Sequence, residues 1–189
     1  MDSKKNKRII FMGLSVAINL VGGFIALSLK LPIYLDTIGT ILVSILFGPV
    51  SGAVVGGLSS IINGITFDPI SFYFLPVQLV VGIGTGMLFK GKKVGVLKLI
   101  LRILLVTVLG SATAAVIASF IFQGVTSSGS SILVAIFKNS GISIITAVFS
   151  TQIFTDLLDK AVSFGLVFTI IKMLPLDIKS NIVGDEWYG

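Results

Sequence analysis

The sequence predicts an all-α integral membrane protein: six transmembrane helices in a compact bundle, with both termini on the cytoplasmic side. Three observations carry this expectation. Of the 189 residues, 54% are hydrophobic and 12% are charged, against about 25% charged in an ordinary soluble domain. Mean hydropathy is +1.09. The cations sit in short clusters between long apolar runs. A soluble fold of this size lacks the residues to make a polar surface here, so most of the outside must face lipid. The composition also excludes chemistry. With no cysteine there is no disulfide framework and no thiolate metal site, and with no histidine the usual acid–base group and metal ligand are missing. No catalytic residue, metal site or cofactor is expected. The net charge of +6 sits in short clusters between apolar runs, which argues against a nucleic-acid partner.

The spans follow from apolar stretches long enough to cross a bilayer, about 20 residues each. The first, 9–29, follows Lys4, Lys5, Lys7 and Arg8. It is too long for a signal-peptide core, has no convincing small-residue cleavage site and is followed by more apolar runs, so it reads as a retained helix. The second, 37–47, is short, and Gly48-Pro49 ends it. At about 1.5 Å per residue it covers roughly half the hydrocarbon thickness. With the third, 50–65, it is expected to form a tight helical hairpin inside the protein. The fourth runs over 72–89, the fifth over 96–122 and the sixth over 142–173. The whole chain, 1–189, is read as a single membrane domain. The segment Gln123–Ser131 reads as a flexible outer loop, and Trp187 and Tyr188 as an interfacial anchor.

Charge sets the orientation. With the N-terminus inside and six crossings, the cytoplasmic segments hold Lys4, Lys5, Lys7, Arg8, Lys90, Lys92, Lys93, Lys98, Arg102, Lys172 and Lys179, which is 11 of the 14 cations. Lys30 and Lys138 fall outside and Lys160 within the last span. That bias follows the positive-inside rule, whereas five spans would put Lys172 and Lys179 outside. No internal repeat of the kind common in secondary transporters is visible.

Small residues four apart allow close helix approach. Gly52, Gly56 and Ser60 in the third span, and Gly82 and Gly86 in the fourth, read as internal packing. Gly13 and Ala17 in the first, with Val21 next, suit either internal packing or a face that docks on another membrane protein.

Ionisable groups in a span are expensive and face a cavity or a partner. Asp36 opens the second span, either as its N-cap or as a site residue. Asp156 and Lys160, four apart, suit an intrahelical ion pair, which leaves Asp159 in need of a partner from elsewhere. Gln152 is one turn before Asp156. Asn63, Tyr73 and Gln78, with Asp68, belong to the ends of the third and fourth spans that share the same half of the bundle. Asp36, Asn63, Tyr73, Gln78, Gln152, Asp156 and Asp159 are therefore the candidate lining of an outward pocket for a small polar molecule. Phe67, Phe72, Tyr73, Phe74 and Phe120 are candidates either to stack on a planar ring or to anchor the interface.

This combination resembles the substrate-binding membrane subunits (S components) of energy-coupling factor transporters, over nearly the whole chain. The likeness is carried by the stripe Gly13, Ala17, Val21, where the family uses alanines, and by Tyr34-Leu35-Asp36-Thr37-Ile38-Gly39 leading to Leu46-Phe47-Gly48-Pro49-Val50-Ser51-Gly52. A third element is Asp159-Lys160 with Ser163 and the ending Lys172-Met173-Leu174-Pro175. The resemblance implies a non-enzymatic subunit of the bacterial plasma membrane. It would bind a water-soluble vitamin or precursor from outside and hand it to a transmembrane coupling protein driven by two cytoplasmic ATPases. It implies docking through Gly13, Ala17 and Val21, and a lid at residues 30–36.

With carboxylates, amides and hydroxyls in the candidate pocket and no arginine near the outer surface to clamp an anion, the ligand expected first is a vitamin B6-type pyridine. A hydroxymethylpyrimidine or thiamin precursor, riboflavin and cobalamin follow, with folate and pantothenate lower. Two other readings compete: a standalone proton-coupled secondary permease using Asp156 and Asp159, and a membrane interaction module that transports nothing.

Overall fold

Uninterrupted apolar stretches with turn residues only at their borders give helices throughout the computed structural model, which describes residues 3–89 and 95–175. These are α1 (Ser3–Ser28), α2 (Ile38–Phe47), α3 (Pro49–Thr66), a single 3-10 turn (Pro69–Phe72), α4 (Leu75–Phe89), α5 (Val96–Phe120), α6 (Ser130–Asn139) and α7 (Ile144–Met173). No strand occurs among the described residues. Six helices fall on the expected spans. The fourth is shorter than expected at its start, because Pro69 begins a 3-10 turn and the regular helix starts only at Leu75. By length and composition, α1, α3 and α5 suffice to cross a membrane. At 30 residues α7 is longer, about 45 Å, and carries Asp156, Asp159 and Lys160 along its middle. The cations Lys90, Lys92, Lys93 and Lys179 and the anchor residues Trp187 and Tyr188 lie outside the described residues.

One helix was not anticipated. The segment read as a loose outer loop is structured: Ser131 Oγ accepts the Thr126 N–H at 2.8 Å and donates to the Thr126 carbonyl at 3.0 Å. This turn leads into α6, which packs on α7. Ten residues flanked by glycine and serine are too short for a span, and the apolar run Ile132–Phe137 is too brief to stand out beside its neighbours.

The bundle is built around α2, every residue of which is buried. It contacts α1, α3, α4 and α7, and its Ile41, Leu42, Val43 and Ile45 join Val55, Val81, Val106, Phe164 and Val167 in the main apolar core. A helix so enclosed requires close backbones. A Cβ on Gly39 would fall 1.9 Å from the Ser15 carbonyl oxygen of α1, and one on Gly82 2.7 Å from the Gly52 carbonyl carbon of α3. The stripes Gly52, Gly56, Ser60 and Gly82, Gly86 therefore serve internal packing, as expected. The outside is the reverse of a soluble protein's. Leu14 and Phe24 on α1, Leu101 and Leu105 on α5, and Phe154 and Leu158 on α7 are exposed, while Asn19, Thr40, Ser44, Ser59, Gln78 and Thr155 are buried.

At the foot of α1, Arg8 donates to the Phe47 carbonyl and Ser51 Oγ and lies 5.0 Å over the Phe47 ring. It thereby satisfies a carbonyl left free at the end of α2.

The close approach gives a contrast between two glycines. Gly86→Ala, whose Cβ would fall 2.3 Å from Pro49 N, should destabilise by about 1–3 kcal/mol or more. Gly165→Ala, which meets nothing within 4 Å, should stabilise by about 0.5–1 kcal/mol. Thermal unfolding in detergent measures both.

Candidate functional site

The polar interior is continuous with a cavity of about 90 Å³ at one end of the bundle, where α1, α3 and α5 end and α2, α4 and α7 begin. Its polar lining comes from separate stretches of chain: Tyr34, Asp36 and Thr37 before α2, Asn63 on α3, Asp68 and Ser71 at the 3-10 turn, Gln78 on α4, Thr126, Ser127 and Ser128 before α6, and Gln152, Asp156 and Lys160 on α7. Phe67 and Phe74 supply aromatic surface, and Ala114 of α5 closes part of the wall.

The roof is the segment 30–36. Its backbone is irregular, with Lys30 at φ +49° and Leu35 at φ +54°, a region that branched side chains rarely adopt. The amides of such a segment have no regular partner, and α7 provides one. The Tyr34 and Leu35 N–H groups donate to Asp159 Oδ1 at 3.0 and 2.8 Å, while Lys160 Nζ donates to Asp159 Oδ2 at 2.5 Å. Asp159 is fully buried. One carboxylate thus neutralises a buried ammonium and holds the strained roof. From the far side, Gly129 approaches so closely that a Cβ there would lie 2.0 Å from the Lys30 carbonyl oxygen. The Tyr34 hydroxyl lies 3.1 Å from Ser130 Oγ and receives a hydrogen bond from Gln152 Nε2 at 3.1 Å. Burial and the Asp156 charge push that phenol up to about 12, so it stays protonated.

Beneath the cavity a second network crosses four helices. Asn19 Nδ2 donates to Thr40 Oγ1 (2.8 Å) and Ser59 Oγ (3.0 Å), and its Oδ1 accepts the Gly39 N–H at 2.7 Å. Thr40 in turn donates to Gln78 Oε1 at 2.9 Å, and Gln78 Nε2 donates to the Asp36 carbonyl at 3.0 Å.

Of the candidates read from the sequence, Asp36, Asn63, Gln78, Gln152 and Asp156 share the cavity. Two do not line it. Asp159 sits behind, occupied by the roof and Lys160. Tyr73 is 53% exposed and meets Phe122 edge-on at 5.2 Å, because the 3-10 turn rotates it outward. Among the aromatic candidates Phe67 and Phe74 line the cavity, whereas Phe72 covers Gly64 and Phe120 is exposed. Two local expectations are corrected. Lys160 pairs with Asp159, not with Asp156; Asp156 instead accepts from Gln152 Nε2 at 3.1 Å, since the roof draws Asp159 and Lys160 together. Asp36 is not the N-cap of α2; Thr37 holds that position without a side-chain cap bond, leaving Asp36 to the cavity. Gly13, Ala17 and Val21 form an exposed stripe on the outer face of α1, and a Cβ on Gly13 would touch nothing.

Sequence reasoning missed Tyr34, Thr37 and Asn19. Asn19 carried a readable signal, an amide in the middle of an apolar span. Tyr34 and Thr37 stood in the segment that carried the resemblance, but a tyrosine and a threonine at the border of a span are ordinary and nothing there marked them as wall residues.

Two outcomes are expected. Burial, and next the Asp159 charge, push the Asp36 carboxyl up to about 6, with Lys160 pulling the other way. Between the ordinary value of 3.8 and about 6, the folded protein holds a proton that the unfolded chain releases. The Asp36 contribution to stability therefore falls as pH rises through that window. Unfolding temperatures of ligand-free protein from pH 4 to 7 should show this slope, and Asp36→Asn should remove it. Asp159→Ala strips a buried ammonium of its counter-charge, which costs about 3–5 kcal/mol, and should speed hydrogen exchange at the Tyr34 and Leu35 amides. Unchanged protection there would show that the carboxylate does not hold the roof.

Comparison with known proteins agrees with this architecture. The family model described as "ECF transporter, substrate-specific component" matches residues 7–171, which takes in α2 to α6 whole and nearly all of α1 and α7. No curated protein and no solved structure gives a significant match. Members of that family are membrane transport subunits that bind small-molecule substrates, work with membrane and ATPase components, and are not themselves ATPases. The chain belongs to the substrate-specific components of energy-coupling factor transporters.

Proposed function

We propose that this subunit captures a water-soluble vitamin or vitamin precursor at the outer face of the bacterial plasma membrane and delivers it to an ATP-driven importer. The observation that carries the proposal is the cavity: carboxylates, amides and a tyrosine from distant parts of the chain meet at one end of an otherwise lipid-facing bundle. In this reading the chain is one membrane domain over 1–189. The helices α1, α2, α3, α4, α5 and α7 make six crossings, both termini are cytoplasmic, and the cavity end faces out. The cation distribution supports that orientation.

The first-choice ligand is a vitamin B6-type pyridine, then a hydroxymethylpyrimidine or thiamin precursor, with riboflavin and cobalamin after them. A space of about 90 Å³ is smaller than the cavity of about 150 Å³ that encloses benzene, so the lid must open before any of these rings fits. Asp36, Asn63, Gln78, Gln152 and Asp156 are the proposed contacts. The segment 30–36 is the lid, with Asp159 holding it from behind. A ligand enters when that hold is released.

Delivery requires a partner. The transmembrane coupling protein is proposed to dock on Gly13, Ala17 and Val21, where exposed small side chains let a second helix come close. Two cytoplasmic ATPases supply the energy.

Reconstitution in liposomes tests this. Labelled pyridoxine should accumulate only when the coupling protein, both ATPases and ATP are present. Ala17→Leu should abolish uptake and leave ligand binding within about twofold, because Ala17 is on the surface remote from the cavity. Uptake by the chain alone under a proton gradient would replace the proposal with a secondary permease. Normal transport by Ala17→Leu would move the docking face elsewhere.

A further inference from the structure

The charges around the cavity do not balance. Asp36, Asp68 and Asp156 line it, with Lys160 the one cation among its lining residues. Lys160 is already matched, since its ammonium donates to Asp159 Oδ2 at 2.5 Å and the two side chains are 6% and 0% exposed. Asp68, nearer the rim, accepts from Ser71 Oγ at 2.9 Å. Asp36 and Asp156 remain facing the same space, and the one cation that attracts them, Lys160, is already held by Asp159.

A second, independent feature points the same way. Asn63 Oδ1 and Thr37 Oγ1 are buried without a hydrogen-bond partner, in residues 4% and 2% exposed that both line the cavity. A buried acceptor left unpaired costs about 1–3 kcal/mol, more when charged. The cavity wall therefore combines carboxylates with a buried amide oxygen that no donor of the protein answers, alongside the neutral hydroxyls of Ser71, Thr126, Ser127 and Ser128. Tyr34, Phe67 and Phe74 are among the wall residues, and aromatic rings attract cations as well as planar rings.

We propose that the bound molecule is a one-ring heteroaromatic carrying a positively charged nitrogen, a protonated amine or a ring cation, which faces Asp36 and Asp156 while an N–H donor meets Asn63 Oδ1. This rests on the reading of the chain as a substrate-capture subunit and sharpens it. Among ligands of equal size, charge decides, and Asp36, Asp156 and Asn63 are the specificity-determining residues. A neutral isostere leaves two carboxylates uncompensated, and an anion is repelled by both.

Three pyridines that differ in one substituent supply the test: pyridoxamine with an aminomethyl group, pyridoxine with a hydroxymethyl group and 4-pyridoxic acid with a carboxylate. Binding to the purified full-length chain in detergent is measured by calorimetry and by the shift in unfolding temperature, and any copurified small molecule is identified by native mass spectrometry. The expected order is pyridoxamine tighter than pyridoxine by about tenfold or more, with the acid weakest. Asp36→Asn and Asp156→Asn should each reduce that preference to about twofold or less while retaining a cooperative unfolding transition. Asp68→Asn should preserve the preference. A copurified molecule bearing a cationic nitrogen supports the proposal directly. Pyridoxine or the acid binding as tightly as the amine, or a neutral or anionic copurified molecule, would overturn it and leave the capture function standing. If nothing copurifies and no member of the series binds, the charge assignment fails, while the capture reading is decided by the liposome uptake.

Discussion

A polar group inside a lipid-facing bundle has only other protein groups, or a bound molecule, to satisfy it, and the arrangement of this protein follows from that constraint. Water competes for hydrogen bonds at the surface of a soluble domain, so polar side chains drift outward. Here the surface is leucine, isoleucine and phenylalanine, and the amides, hydroxyls and charges turn inward. Once inside they need partners, and the partners lie on other helices. Asn19 ties α1 to α2 and α3, Gln78 ties α4 to α2, and Asp159 ties α7 to the segment before α2. Each of these ties is shorter-ranged and more directional than apolar packing against lipid-like neighbours. They specify which helix faces meet, where apolar contact alone would discriminate weakly between faces.

The same constraint explains the central short helix. With only ten residues, α2 is too short to span a bilayer unaided, and it is shielded by α1, α3, α4 and α7 on all sides. Glycines at the crossing points bring the neighbouring backbones close enough to shield it. Because α2 stops short, the space above its first turn is roofed by an irregular segment rather than by more helix. That space is the cavity. A full-length second span would have filled it.

The roof is where stability and function meet. A leucine at positive φ, two backbone amides answered by a carboxylate on another helix, and a tyrosine hydroxyl shared with α6 and α7 describe a segment held in place by few but specific contacts. Strained backbone of this sort persists where the surroundings over-determine it, and such places are often the ones that must move. Asp159 is separate from the cavity wall, so holding the roof and lining the cavity fall to different carboxylates. Asp36 and Asp156 are left free of structural ion pairs and available to a bound molecule.

Much of this was legible in the amino-acid order. Apolar run lengths located six of the helices, glycine spacing identified the inward faces of α3 and α4, and polar residues in and beside spans gave a group of seven, of which Asp36, Asn63, Gln78, Gln152 and Asp156 share the cavity. These properties are local or periodic along the chain, so they survive in one dimension. The partner of Lys160, the outward turn of Tyr73, the roofing role of Asp159 and the presence of Tyr34 and Thr37 in the wall were decided only by the tertiary structure. Each depends on a segment more than a hundred residues away or on the rotation of one short turn. Spacing along a helix names the groups that can meet on that helix. Which group a buried charge selects is settled by the distances to everything else the fold has brought beside it.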